Sequence, residues 1–272
     1  MSTLELSPGN TLAFDYSPPG PQGFTFVCFN ALTGDKAMWS GILGDAVSNA
    51  GHGLLLYNLR GQAGSDFASK DVNETSIVAD AKALLDHVRP PRPIFVGLSI
   101  GGLFALRVHL AGGDYAAEGA VLINTLRKPG PRLDWVNDAA LTAARTGGLE
   151  MMRDLFAPLL FNKDWLAENR AGFLTADTYE GLSEEDGSYL LLAAGGTSDW
   201  DLPYEDLSLP ILSMTGEQDR MFRDAADIDD LLDRMQNAQR LDLANAGHML
   251  PVERPKEFAD GLLAFANTLN AP

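Results

Sequence analysis

Ser99 is the side chain in this sequence whose surroundings best suit nucleophilic chemistry. It is the central residue of Gly-Leu-Ser-Ile-Gly-Gly at 97–102, which follows a β-rich apolar run and precedes an apolar helical pattern. A serine on such a sharp turn from strand to helix adopts a strained backbone conformation, and the neighbouring glycines let the two elements approach closely. Small residues in this pattern could also serve only to pack a helix tightly on a strand. A catalytic role for Ser99 therefore needs support from partner residues elsewhere in the chain.

His248 is the candidate base. A serine hydroxyl is a weak nucleophile and needs a base within hydrogen-bond reach, which an acid must hold in the correct tautomer. Of the four histidines, His87 and His109 fall within helical patterns, and His52 lies in a Gly-His-Gly turn. His248 lies in a loop after one predicted strand and before the last predicted helix, where functional side chains gather.

Asp219 is the candidate acid, because it directly follows a predicted strand, where open α/β sheets place functional groups. Glu217 is its local competitor. The end of the strand before the long helical segment carries Asn124, which cannot hold a negative charge and therefore favours Asp219. Asp219 could instead be only a turn or helix N-cap residue. The chain order Ser99, Asp219, His248 is the order expected for a serine in this type of turn.

An oxyanion forms when serine attacks a carbonyl, and it requires two N–H donors. The N–H of Ile100, directly after the nucleophile, is one candidate. The loop after Phe29 offers the other, and we favour the N–H of Leu32 over that of Ala31.

Arg127, Lys128 and Arg132 form a basic cluster in this acidic chain, at the start of the long helical segment that follows the strand ending at Asn124. These cations could recognise a substrate carboxylate, or they could equally pair with nearby surface carboxylates. We predict the following substrate-binding residues: Asn30, Arg127, Arg132 and Trp135. Further apolar side chains could line a pocket or simply pack the helices, namely Met151, Met152, Leu155, Phe156, Leu159, Leu160 and Phe161.

Buried apolar strands alternate with helical patterns along most of the chain, which predicts an α/β fold with a parallel sheet covered by helices on both faces. Residues 4–16 predict a hairpin at the sheet edge. No strand pattern occurs at about 126–206. That segment predicts four helices, at 135–145, 149–160, 164–173 and 184–194. We therefore expect a core domain of residues 1–126 and 207–272, with residues 127–206 forming a helical cap over the site.

Composition restricts the partners of the protein. The chain has 272 residues and a formal net charge of -17, which repels nucleic acids and anionic membranes. Its one cysteine, Cys28, cannot form an internal disulfide and lies in an apolar run. The sequence has no export signal pattern and no apolar run long enough to span a membrane. We expect a cytoplasmic protein, monomeric or homodimeric, that acts on a small molecule and needs no cofactor or metal.

Two further segments carry a family resemblance. Residues 29–39, Phe-Asn-Ala-Leu-Thr-Gly-Asp-Lys-Ala-Met-Trp, resemble the oxyanion segment of small-molecule hydrolases such as the 3-oxoadipate enol-lactonases, which have Asn-Ser-Leu-Gly and a later Met-Trp. Residues 58–65, Asn-Leu-Arg-Gly-Gln-Ala-Gly-Ser, are similar to an Asp-x-Arg-Gly-x-Gly-x-Ser loop, with Asn58 for Asp and Ala63 for Gly. With Ser99, Asp219 and His248, these segments resemble the α/β-hydrolase superfamily over essentially the whole chain.

This resemblance implies the α/β-hydrolase fold, with a mostly parallel eight-stranded sheet and a four-helix cap. It also implies a serine hydrolase that cleaves a small carboxylic ester or lactone through an acyl-enzyme. Serine at the nucleophile position disfavours the dehalogenase and epoxide hydrolase branches. Carbon-carbon bond hydrolases or lyases on the same triad, and receptor-like ligand-binding modules, remain alternatives, since one scaffold hosts many functions.

Overall fold

The structure is a computed structural model that describes residues 2–67, 71–113 and 115–270. The described residues form eight strands in one sheet: β1 Ser2–Ser7, β2 Asn10–Ser17, β3 Thr25–Phe29, β4 Gly53–Tyr57, β5 Pro93–Leu98, β6 Gly119–Ile123, β7 Ile211–Gly216 and β8 Ala238–Leu243. Their order is β1-β2-β4-β3-β5-β6-β7-β8. Strands β3 to β8 pair in parallel, whereas β1 and β2 form an antiparallel hairpin at one edge. The predicted mostly parallel, eight-stranded sheet is confirmed.

Helices cover both faces of this sheet. In chain order they are α1 Lys36–Asn49, α2 Glu74–Val88, α3 Ile100–Leu110, α4 Pro131–Leu160, α5 Lys163–Glu168, α6 Gly187–Gly196, α7 Ala225–Arg234, α8 Leu250–Glu253 and α9 Pro255–Leu269. Helices α1 and α9 share one buried apolar cluster with the sheet, in which Trp39 packs near Phe258. Helices α2, α3 and α7 contribute to the cluster on the other face. Covered on both faces, the central strands need continuous apolar sequences, which explains their pattern.

Local sequence signals set several helix ends. Asn73 caps α2 through a capping box, in which its side chain accepts from the Ser76 N–H and the Ser76 hydroxyl accepts from the Asn73 N–H. Pro131 begins α4, a position where its missing N–H and fixed φ are favourable. The short helix α8 lies in the segment before Pro255 that the sequence predicts as a loop.

Between β6 and β7 the chain builds α4, α5 and α6. Helix α4 is two helices joined at a kink, because Gly147 and Gly148 leave helical geometry and Gly148 has a φ of 73°. Its two halves correspond to the predicted helices at 135–145 and 149–160. The helix predicted at 164–173 ends earlier, at Glu168, and a 3-10 turn at Arg170–Gly172 follows it. No helix of the described residues is both long and apolar enough to cross a membrane.

The division into a core of 1–126 and 207–272 and a cap of 127–206 stays a prediction. Its outermost residues, 1 and 272, lie outside the described residues.

Candidate active site

Ser99 stands on the turn between β5 and α3 with a φ of 56° and a ψ of -125°. This positive φ is unusual for a residue with a side chain and agrees with the strain expected from the motif. The glycines around it are sterically required. A Cβ would lie 2.3 Å from the Gly102 nitrogen if placed on Gly97, and 2.3 Å from the Phe29 oxygen if placed on Gly101. The glycines therefore allow the close approach of β5, α3 and the end of β3 around the turn at Ser99.

Asp219 and His248 form a buried pair, 4% and 5% exposed. The Nδ1 of His248 lies 2.6 Å from Oδ2 of Asp219. Oδ1 of Asp219 accepts hydrogen bonds from the backbone N–H groups of Met221 and Phe222, at 3.0 Å each. Because a carboxylate only accepts, the hydrogen sits on Nδ1, and Nε2 is the nitrogen left free.

Electrostatics keep Asp219 ionised. Burial raises the pKa of Asp219, but the charge and hydrogen bond of His248 and the N–H of Phe222 outweigh it, so the net shift is downward. Arg127 adds a further attraction in the same direction. The carboxylate is therefore available to orient the imidazole at neutral pH.

Asn124 lies at the end of β6, where the sequence could also have placed the acid. Its side chain holds the loop that carries His248, which we call the histidine loop. Its φ is 48°. Its amide nitrogen donates to the carbonyl oxygens of Gly247 and His248, at 3.1 and 2.8 Å. Its Oδ1 accepts from the Gly216 N–H at 2.8 Å. Asn124 thus ties the end of β7 to the loop that carries His248.

Glu253 is a buried carboxylate beneath the same loop. It accepts from the Gly247 N–H at 3.0 Å and from the Asn162 N–H at 2.7 Å. Burial raises the pKa of Glu253, and the two backbone N–H groups offset part of that effect. Because Asn162 follows α4, this carboxylate links the histidine loop to the helical segment over the sheet.

The last turn of α4 also contacts both loops directly. The His248 N–H donates to the Leu160 carbonyl at 2.5 Å, and the Arg220 N–H donates to the Leu159 carbonyl at 2.9 Å. These carbonyls have no partner within the helix, since they belong to its final turn. The positions of Asp219 and His248 therefore depend on α4 as well as on the sheet.

The loop after β3 is fixed by Gln62. Its Nε2 donates to the carbonyl oxygens of Ala31 and Leu32, at 2.8 and 3.1 Å. The peptide bonds of the described chain are trans, so the Leu32 N–H points opposite to the Ala31 carbonyl and away from Gln62. Ala31, Leu32, Ser99 and Ile100 line one cavity. This arrangement is compatible with the predicted pair of oxyanion donors.

Asn30, a predicted substrate-binding residue, is fully buried below this loop. Its Nδ2 donates to the Tyr57 carbonyl and to the Oδ1 of Asn58 and the Oε1 of Gln62, at 2.9 to 3.1 Å. Its Oδ1 accepts from the indole N–H of Trp39 at 2.7 Å. The side chain is occupied by this network, and the structure does not bring it to the cavity.

Arg127 lies directly beside Ser99. Its Nη2 donates to Ser99 Oγ at 3.1 Å and to the Asn124 carbonyl at 2.8 Å, and its Nε donates to the Thr125 carbonyl at 3.1 Å. The residue is 5% exposed. Burial lowers the pKa of Arg127 to about 10, which still leaves the guanidinium charged at neutral pH.

Ser99 and His248 line the same cavity. In the described part of the chain the hydrogen bond at Ser99 Oγ comes from Arg127, and none joins Oγ to His248. A hydroxyl both accepts and donates, so the Arg127 contact leaves the Ser99 O–H free to donate. Catalytic hydrogen bonds are often long before substrate binds.

The cavity has a volume of about 140 Å³, the size that admits a molecule comparable to benzene. One face of α4 lines it, through positions at helical spacing: Leu133, Val136, Asn137 and Ala140. Met152, Phe156 and Leu160 from the predicted apolar set also line it, and so do Trp200 and Phe222, which the sequence did not indicate.

Two predicted substrate-binding residues lie elsewhere. Trp135 is 78% exposed and lines a separate surface groove, because it falls off the inward face of α4. Arg132 donates to the carbonyls of Arg220 and Arg223 at the surface. Within the described residues, no group of three His, Cys, Asp or Glu side chains could hold a metal ion.

The chain resembles known proteins over most of its length. The sequence model of the alpha/beta hydrolase family matches residues 26–261. The chain belongs to the α/β-hydrolase family. This hydrolase is 25% identical over 245 residues to 3-oxoadipate enol-lactonase 2 of Acinetobacter baylyi, covering 89% of this chain and 88% of that protein.

Solved structures show the same fold. MGS-M2, an α/β hydrolase from a Medee basin deep-sea metagenome library, has a TM-score of 0.84 at 21% identity and covers 98% of this chain and 97% of its own. The enol-lactonase of Burkholderia xenovorans LB400 has a TM-score of 0.78 at 23% identity, with 95% and 97% coverage. The predicted resemblance to α/β-hydrolases is confirmed.

Proposed function

We propose that this α/β-hydrolase cleaves a small carboxylic ester or lactone through an acyl-enzyme formed on Ser99. The observation that carries the proposal is the buried Asp219–His248 pair, whose histidine lines the same cavity as Ser99. A nucleophile, a base and an orienting acid are the groups that acyl transfer needs. The enol-lactonase name of the Acinetobacter relative supports the ester or lactone class.

In the proposed reaction, Nε2 of His248 takes the Ser99 proton while Oγ attacks the carbonyl carbon. The carbonyl oxygen becomes an oxyanion, which accepts hydrogen bonds from the N–H groups of Leu32 and Ile100. His248 then gives the proton to the departing alkoxide, and the acyl group stays on Ser99. A water molecule gives a proton to His248 and attacks the ester carbon of the acyl-enzyme. As the bond from this carbon to Oγ breaks, His248 returns the proton to Oγ, which releases the acid and the free serine. Asp219 stabilises the imidazole each time it carries this second proton.

The cavity supports a small substrate, since its volume is about 140 Å³ and its walls are mainly apolar. The formal net charge of -17 supports a small-molecule partner over a nucleic acid.

Covalent labelling tests the assignment of the nucleophile. A fluorophosphonate should add one label per chain, located on the peptide that contains Ser99, and Ser99→Ala should remain unlabelled. Ser65→Ala is the matched control, because Ser65 is also buried but hydrogen-bonds to the Asn58 carbonyl outside the cavity. Labelling of Ser99→Ala at the natural rate would refute the proposal.

A further inference from the structure

Arg127 is a buried cation that forms no ion pair with a carboxylate of the described residues. Its hydrogen bonds go to the carbonyl oxygens of Asn124 and Thr125 and to Ser99 Oγ, all uncharged acceptors. No Asp or Glu among the described residues forms an ion pair with it, and Asp219 acts on it only through a longer-range attraction. Burying a charge is costly unless it is paired, so an unpaired guanidinium in a cavity wall calls for an explanation.

Arg60 shows how another buried arginine of this chain is paired with a carboxylate. Arg60 is also largely buried, and its Nε and Nη2 both donate to the Asp80 carboxylate, at 2.6 and 2.5 Å. This two-point contact is the geometry that suits guanidinium and carboxylate best. Arg127 has no such carboxylate in the described part of the chain, and it lines the cavity, where a ligand can supply one.

Aromatic rings hold the Arg127 guanidinium in position. Its central carbon lies 4.6 Å from the ring centre of Trp200 and 4.3 Å from that of Phe222. Rings at this distance stabilise the cation and restrict its movement without neutralising it. The group is therefore preorganised for an anion.

The strand order separates Arg127 from the loop after β3, which carries Leu32. Leu32 follows β3, Ser99 follows β5 and Arg127 follows β6, and β5 lies between β3 and β6 in the sheet. Arg127 and Leu32 therefore lie in segments on opposite sides of the strand that precedes Ser99.

Neighbouring cations do not share this position. Lys128 pairs with Asp227 and Asp230, and Arg132 binds backbone carbonyls at the surface. Of the basic cluster in the sequence, Arg127 is the member that reaches the cavity.

We infer that Arg127 is the binding site for an anionic substituent of the substrate, so that the ester or lactone carries a carboxylate close to its scissile carbonyl. This inference rests on the proposed reaction at Ser99. A carboxylate that takes the Nη2 hydrogen bond also frees a lone pair of Ser99 Oγ, since that oxygen now accepts from Arg127. The anion thus contributes both to binding and to the availability of the nucleophile.

Matched substrates test this inference. A carboxylate on the acyl side is present in monomethyl succinate and masked in dimethyl succinate. A carboxylate on the leaving-group side is present in acetoxyacetate. A neutral ether takes its place in 2-methoxyethyl acetate. Titration of the released acid gives kcat/KM for each. The natural protein should prefer the anionic member of at least one pair by on the order of 10- to 100-fold, the value of a hydrogen bond to a charged group.

Substitution assigns that preference to the guanidinium. Arg127→Gln should bring the ratio within the preferred pair close to one, and Arg127→Lys, which keeps the charge but loses the planar fork, should keep part of it. Lys128→Gln is the control, since it removes the adjacent cation outside the cavity and should leave the ratio unchanged. An equal loss on both members of each pair would make Arg127 a structural residue only and overturn the inference.

Binding without turnover separates this inference from the proposed reaction. Calorimetry should detect succinate binding to Ser99→Ala, and the affinity should fall at least about tenfold when Arg127→Gln is added. Failure of Ser99-dependent hydrolysis of p-nitrophenyl acetate would refute the proposed function alone. Ser99-dependent hydrolysis without any preference for a carboxylate, and without succinate binding, would refute the anion site alone.

Discussion

The Nδ1 atom of His248 lies 2.6 Å from the Oδ2 atom of Asp219, and the two residues are 29 positions apart in the chain. The loops that follow β7 and β8 bring them together, and backbone contacts to Leu159 and Leu160 of α4 hold both loops. The geometry of this pair is therefore a joint product of the sheet and of the helix above it.

Replacing Asp219 by Asn should lower kcat by up to about 10⁴-fold, because an amide does not select the imidazole tautomer that leaves Nε2 free to accept the serine proton. Steady-state hydrolysis of p-nitrophenyl acetate measures the effect. Glu217→Gln is the matched control, since Glu217 is exposed at the end of the same strand. Equal activity of the two variants would contradict the role of Asp219.

The loop after β3, which carries the proposed oxyanion donor Leu32, is the subject of a separate prediction. Gln62→Met removes the donor that holds the carbonyls of Ala31 and Leu32. It should lower kcat by about 10- to 100-fold, somewhat less than loss of an oxyanion donor itself, and change KM little. Gln239→Met, on the exposed edge strand β8, is the control. A rise in KM at constant kcat would instead indicate that Gln62 contributes equally to binding of the substrate and of the transition state.

The tight turn at Ser99 predicts a stability difference between two glycines. Gly101→Ala places a Cβ 2.3 Å from the Phe29 carbonyl oxygen, so it should lower the free energy of unfolding by about 1–3 kcal/mol or more. Gly41→Ala in α1 meets no atom within 4 Å and should raise it by roughly 0.5–1 kcal/mol. Urea denaturation of both variants measures the difference, and similar effects would contradict the crowding.

Glu253 gives the prediction for pH. Its pKa in the folded chain is raised above 4.5, so the native state holds this proton more tightly than the unfolded state does. Its contribution to the free energy of unfolding therefore falls as pH rises from about 4.5 through the raised pKa, and is level above it.

Glu253→Gln removes the carboxyl group that titrates. The free energy of unfolding of the natural protein minus that of the variant therefore gives the contribution of Glu253 at each pH. Denaturation at several pH values should show the difference decreasing as pH rises above about 4.5. Glu257→Gln, in the first turn of α9, is the control for loss of an exposed carboxylate. A difference that does not vary with pH would contradict the raised pKa.

The sequence predicts those parts of the site that depend on local pattern and chain order. Ser99, Asp219 and His248 each follow a strand, and the apolar runs that form those strands are readable because both faces of the sheet are covered. The positive φ of Ser99 follows from a short motif in the same way.

Features that depend on packing between distant segments could not be predicted from the sequence. Trp200 and Phe222 become walls of the cavity only when the segment after α6 and the loop after β7 meet over the sheet. Trp135 stands one position away from the inward-facing Val136, a difference that sequence could not resolve without the orientation of α4. The role of Glu253 likewise requires knowing that Asn162 lies beside Gly247.

The most direct test of the account is pre-steady-state hydrolysis of p-nitrophenyl acetate with intact-mass analysis during turnover. The account predicts a burst of p-nitrophenol equal to one per active chain and an acetyl adduct on Ser99. Both should vanish in Ser99→Ala, with kcat lowered by about 10³-fold or more. Turnover by Ser99→Ala at the natural rate, without an adduct in either protein, would contradict the central claim that Ser99 is an acyl-accepting nucleophile.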